Sequence, residues 1–279
     1  MTTSSPRPVP PPTEEELQRM SLMEHLEELR KRIIWSVLFF AVAFWPCWAY
    51  YREIFRFLMV PLQKATAGTA LRDLKLSYLA LSDPFILYFK MAALAAVFLS
   101  SPFLLYQVWT FIAPGLYRRE RKMALPFVLA TTFFFLAGGA FGYYVAFPAA
   151  AKFFLGIGQD LRPVITADTY FGFLMTVIFG LGLMFELPIL VLILAMLGVV
   201  TPRFLLKYFR HAIVVIFIVA AIITPTPDVV NLCIFAVPAC GLYVLGIAGA
   251  FFAAKFRRQR AEARGEEVGE GGLGGWWSG

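Results

Sequence analysis

Two acidic residues of this chain stand in basic company and a third stands in apolar company, and these are the places where side chains could do chemistry. Glu28 lies in His25-Leu-Glu-Glu-Leu-Arg-Lys-Arg32 and Glu120 in Tyr117-Arg-Arg-Glu-Arg121. A carboxylate presents two coplanar acceptor oxygens, which a guanidinium meets with two parallel donors, and partial removal from water strengthens the pair. On charge arithmetic alone a local reading comes first: Glu28 precedes Arg32 by one helical turn and Glu120 has Arg on both sides, pairs worth a few tenths of a kcal/mol. Glu186, in Phe185-Glu-Leu-Pro188, lies deep in an apolar run. An ionised carboxylate there costs several kcal/mol unless paired, hydrated or protonated, which leaves a functional site and a hydrogen-bonding packing residue as alternatives. Lys90, near the start of another apolar run, reads as a cation reaching back to the interface.

Other chemistries find no support. Cys47, Cys233 and Cys240 fall in apolar stretches without CxxC spacing, which argues against disulfides or zinc. The two histidines, His25 and His211, sit beside basic residues at the ends of apolar runs, so neither haem ligation nor Ser-His or Cys-His catalysis has its imidazole. Asp83, Asp160, Asp168 and Asp228 lie in loops or at span ends, where they do not form a mid-membrane aspartyl pair. No phosphate loop, dinucleotide motif or HExxH is present, and neither enzyme activity nor a cofactor or metal is expected.

The elements that must position these residues follow from composition. Of 279 residues 59% are hydrophobic and 15% charged, with 29 Phe, and mean hydropathy is +0.71. Soluble domains carry about 25% charged residues, so this chain lacks the polar surface to face water and reads as an all-α, polytopic membrane protein. Residues 1–20, Pro-rich and then acidic, without the basic start and apolar run of a cleaved signal peptide, read as a disordered tail. Residues 21–255 form the membrane domain, and 256–279 a flexible tail. Ser21-Leu-Met-Glu24 has the form of a capping box opening an amphipathic helix along the interface. Hydropathy then places six spans at about 33–51, 85–108, 123–147, 170–200, 212–223 and 229–254. Pro46, Pro102, Pro188 and Pro238 are candidate kinks, and Gly138/Gly142 and Gly172/Thr176/Gly180 are small-residue faces for close helix contact. The aromatic set Tyr106, Trp109, Phe111 and Tyr117 is what an interfacial belt contains.

The fifth run, twelve residues or about 18 Å as a helix, is short against a hydrocarbon core of about 30 Å. If it spans, both termini and the segments 114–122 and 201–211 share one side, which carries seventeen Lys and Arg against seven opposite. The positive-inside rule makes that side cytoplasmic. The formal charge of +7 is then an orientation signal and requires no nucleic acid.

At motif level, HLEELRKR before the first span, SPFLLYQVWTFIAPGLYRRER across the second span and its turn, FELP in the fourth and TPTPD before the sixth together closely resemble the TatC family of the twin-arginine protein translocase. The resemblance covers nearly all of residues 21–255; TPTPD is one residue longer than the family's TPPD. It implies six spans with short fifth and sixth members, N-in/C-in, in a prokaryotic cytoplasmic membrane. It implies a non-enzymatic receptor for Arg-Arg signal peptides of folded preproteins, working with TatA- and TatB-type single-span partners and further copies of itself under the protonmotive force. Carried over by motif, Glu28 and Glu120 would meet the signal-peptide arginines, with Arg30, Phe111 and Pro114 shaping the patch. Glu186 would face a partly hydrated groove, and Pro61 and Asp228 match outer positions associated with function. The competing class is a proton-coupled transporter or channel using Glu186; it would show repeated halves or a second mid-span charge, and neither is evident.

Overall fold

The structure, a computed structural model, describes residues 14–66, 76–112, 124–158, 164–196, 199–224 and 228–262. Among them every regular element is helical, as apolar segments in a bilayer require, since a helix satisfies its own backbone polar groups. In chain order these are α1 (Glu14–Ala49), α2 (Tyr51–Thr66), α3 (Asp83–Ile112), α4 (Ala124–Phe141), α5 (Phe147–Ile157), α6 (Ala167–Met184), α7 (Leu187–Met196), α8 (Pro202–Lys207), α9 (Phe209–Ile223) and α10 (Val229–Glu262). Five stretches are long and apolar enough to cross a membrane: His25–Ala49, Asp83–Phe111, Leu125–Ile157, Ala167–Met196 and Val229–Phe252. Phe209–Ile223 is a shorter sixth. The fifth span is therefore short, as expected, but the sixth is not: its 24-residue apolar stretch is long enough to cross the core.

Several boundaries differ from the hydropathy reading for local reasons. No Gly or Pro interrupts residues 21–45, and the expected interfacial helix and first span are one uninterrupted α1. It begins at Glu14, inside the segment read as a tail, and α10 runs to Glu262, inside the other. Pro46 does not break α1, which ends three residues on at Ala49, with Tyr50 N–H donating to the Pro46 carbonyl at 3.0 Å. The third span continues to Ile157 through a π-turn at Gly142–Ala146. In the second span Pro102 deprives the Phe98 carbonyl of its helical donor, and the Ser101 hydroxyl supplies one at 2.8 Å. The fourth run divides at Phe185-Glu186 because Pro188 offers no N–H to Met184; Glu186 N–H turns back to Leu183 at 3.1 Å before α7 resumes.

α1 packs on α3, α3 on α4, α4 on α6, and α10 on α7 and α9, while α2 lies across α3 and α5. α2 occupies what the sequence reads as loop. Its apolar period, Leu58, Pro61, Leu62 and Ala65, is buried, and Arg52, Arg56 and Lys64 are exposed. Pro61 has no N–H for the Phe57 carbonyl, which instead accepts from the Tyr143 hydroxyl at 2.5 Å; the Tyr170 hydroxyl donates to the next carbonyl, Leu58, at 2.8 Å. Two buried tyrosines of different spans thus clamp α2 at its proline. Ser77 adds a second tie, accepting from Ala167 N–H at 2.7 Å and donating to the Ile165 carbonyl at 3.2 Å. Tyr170→Phe is expected to cost about 1–2 kcal/mol, one buried hydrogen bond, read as a lower unfolding temperature in detergent; an unshifted midpoint would dismiss the clamp.

Candidate functional site

A seam between the N-terminal half of α1 and the C-terminal end of α3 gathers the charged residues. His25, Glu28 and Arg32 are spaced three and four apart, on one face of α1. The His25 ring stacks on Phe111 of α3 with centroids 4.6 Å apart and planes at 25°. Arg32 Nη2 donates to Glu28 Oε1 at 3.1 Å, and Nη1 reaches Gln107 Oε1 of α3 at 3.4 Å. Neither charged side chain is free in water: Arg32 is 24% and Glu28 30% exposed. The pairing anticipated locally is present, but it is tied across two helices.

Glu28 and Phe111 are brought together; Arg30 is exposed and points from a different side of α1, about 200° round the helix from Glu28. Glu120 and Pro114 lie outside the described residues, as does Tyr117. Two participants, Gln107 and His25, were not singled out as ligands by sequence reasoning. The available signal was Gln107 itself, a long polar side chain in an apolar run, here buried at 6% exposure. Of the aromatic set, Trp109 is buried and stacks on Phe127 at 4.2 Å, so it holds α3 to α4 and does not belong to a lipid-facing belt. Tyr106 remains exposed.

Glu186 sits at the α6–α7 break, half-buried, with Oε1 buried and no hydrogen-bond partner among the described residues. The same break leaves room for it, because the backbone there is no longer a regular helix. A groove of 560 Å³ runs between α3 and α6, with Lys90, Val97, Gly172, Thr176, Gly180 and Leu183 on its walls. Glu186 follows Leu183 by three residues and lies outside that lining. Lys90 does not merely reach for the interface: its Nζ pairs with Asp168 at 3.0 Å, joining the N-terminal ends of α3 and α6. Both partners are about half exposed, so the pair adds little stability and mainly sets the charge at the groove's mouth. Asp228 caps α10, its Oδ1 accepting from Asn231 N–H at 2.7 Å, and Pro61 is buried at the α2 clamp. Asp228 and Pro61 thus have structural work that explains their types. Among the described residues no group of His, Cys, Asp or Glu is arranged to hold a metal ion.

Fold and site define a multi-pass helical membrane protein that holds a partly desolvated carboxylate on the α1–α3 seam and a second, half-buried acidic residue at the break in its fourth apolar stretch. The family model described as Sec-independent protein translocase protein (TatC) matches residues 24–238. A relative of that name from Koribacter versatilis is 48% identical over 253 residues, 90% of this chain and 93% of its own length. One from Helicobacter pylori is 42% identical over 81% of this chain and 87% of its own. A crystal structure of a twin arginine translocase receptor, TatC, superposes with a TM-score of 0.72 at 31% identity, covering 82% of this chain and 99% of that one. The chain belongs to the TatC family.

Proposed function

We propose that this chain is the receptor subunit of a twin-arginine translocase, binding Arg-Arg signal peptides of folded preproteins at the cytoplasmic face. The observation that carries the reading is Glu28, a carboxylate held half out of water on the α1–α3 seam beside Phe111. An arginine meets it with a planar fork, and the reduced local dielectric makes that contact worth more than on an open surface. Glu120 supplies the second carboxylate, with Pro114 and Arg30 completing the patch. The excess of Lys and Arg on the segments that flank it supports a cytoplasmic position for both termini. The chain performs no catalysis of its own; it works with TatA- and TatB-type single-span partners, and with further copies of itself, in the cytoplasmic membrane. The protonmotive force drives transport, and Glu186, half-buried at membrane depth, serves as the intramembrane polar group of that machinery. Pro61 and Asp228 act through the outer helices they stabilise.

A photo-crosslinker placed at Phe111 is expected to capture an Arg-Arg precursor and to lose it when the pair becomes Lys-Lys. Equal capture of both precursors, or of neither, would remove the reading.

A further inference from the structure

A second groove, of 320 Å³, lies between α3 and the third span, away from the charged seam. Leu136, Ala140 and Tyr144, spaced four apart, form one wall, Leu94 and Phe98 of α3 the other, and Phe57 of α2 closes one end. Leu136, Ala140, Tyr144 and Phe57 are exposed, whereas Met91 and Ile178 at the back are buried, so the groove opens sideways into the bilayer. Its lining is apolar apart from two tyrosines. The Tyr143 hydroxyl already donates to the Phe57 carbonyl. Water needs roughly two to four polar partners and finds too few here.

The dimensions select among apolar occupants. Leu136 to Tyr144 covers about 12 Å at 1.5 Å per residue, and a helix of that length, about 10–12 Å across, fills roughly 1,000 Å³. A partner helix would lie over the mouth and leave the groove empty. A hydrocarbon chain enters: an apolar cavity of about 150 Å³ takes one benzene, so 320 Å³ takes roughly a dozen carbons. Bulk lipid is equally apolar, so a tail gains packing contacts but no transfer from water, and preference has to come from the headgroup. α2 carries suitable chemistry for one. Arg56, next to Phe57, is exposed and has no hydrogen bond or ion pair among the described residues. Glu53, also exposed, precedes Phe57 by one turn on the same edge. A guanidinium meets a phosphate with two parallel donors. The carboxylate beside it repels a purely anionic headgroup and accepts from one that brings its own N–H cation.

We propose that the groove between α3 and the third span, beneath α2, binds one acyl chain of an amine-bearing zwitterionic glycerophospholipid, with its phosphate on Arg56 and its primary ammonium on Glu53. Such a lipid ties α2 to both spans through contacts separate from the tyrosine clamp.

The test uses the full chain in phosphatidylcholine nanodiscs doped with a phosphatidylethanolamine that carries a photoreactive diazirine in its tail. Labelling is expected to concentrate on Phe98 and 136–144 and to exceed that of the exposed apolar face of α1 at Val37, Val42 and Trp45. Ala140→Trp, which fills the mouth from an exposed position, is expected to lower it roughly fivefold. Arg56→Gln, on the exposed face of α2 and outside the packed core, is expected to lower it roughly threefold. Unlabelled phosphatidylethanolamine should compete at a lower mole fraction than phosphatidylglycerol. Labelling spread evenly over the exposed apolar faces, or unchanged in both variants, would mean boundary lipid only and overturn the site; equal competition by phosphatidylglycerol would overturn the pairing with Glu53.

Discussion

Replacing Glu28 and Glu120 together by Gln is expected to weaken binding of an Arg-Arg signal peptide by about 100-fold or more. Each charge-assisted hydrogen bond is worth about 1.5–3 kcal/mol, and removing two at once exceeds the ~2.7 kcal/mol that a 100-fold change represents. Gln keeps the size of Glu but removes the charge and turns one acceptor oxygen into an NH2 donor, so the effect reads the loss of the charged acceptor pair and not a packing defect. Salt supplies an internal control. Partly exposed charges are screened over about 8 Å at physiological ionic strength, and wild-type binding is expected to weaken as salt rises, whereas the residual binding of the double variant is not. Titration of labelled peptide against the chain in nanodiscs measures both. Undiminished binding by the double variant would remove both residues from the site.

Gly138→Leu is expected to abolish the folded chain. A Cβ at this position would lie 2.5 Å from the backbone oxygen of Leu181 and 2.8 Å from Phe185 Cβ, and a backbone oxygen cannot swing aside as a flexible side chain can. α4 and α6 would have to separate along this seam. Overpacking ordinarily costs about 1–3 kcal/mol, and a clash against backbone lies at or above the top of that range. Gly172→Ala is the control, since nothing stands within 4 Å of a Cβ there. Size-exclusion profiles in detergent should show aggregate for Gly138→Leu and a wild-type peak for Gly172→Ala; a folded Gly138→Leu would mean that the two helices do not depend on this contact.

Those two glycines show what pattern alone could and could not say. Gly138 with Gly142, and Gly172 with Thr176 and Gly180, read identically as small-residue faces. In the fold the first pair meets α6 backbone, whereas Gly172 and Thr176 line an unfilled groove. Helical period says which residues share a face, but not whether another helix lies against it. α2 was hidden for a related reason: its proline and its charged face resemble loop, and only Tyr143 and Tyr170, roughly ninety and a hundred and ten positions on, show what satisfies its carbonyls. The candidate site was legible where residue type carried it. Glu28, Phe111 and Glu186 stood out by charge or motif; His25 and Gln107 acquired meaning only when α1 was laid against α3.

By itself the sequence determined that the chain lives in a bilayer, as helices, in about six passes with one side positive, and which acidic residues are out of place. These are consequences of solvent: a chain with so few charges must hide its backbone polar groups within helices, and a carboxylate in an apolar run is conspicuous whatever surrounds it. The tertiary structure decided which partners those residues have. It tied Arg32 to both Glu28 and Gln107, set Glu186 at a broken helix with one oxygen unbonded among the described residues, and drew Lys90 to Asp168 across seventy-eight positions. Such pairings depend on how helices distant in sequence cross and on the few ångströms by which they approach, and neither is encoded in the period of any single helix.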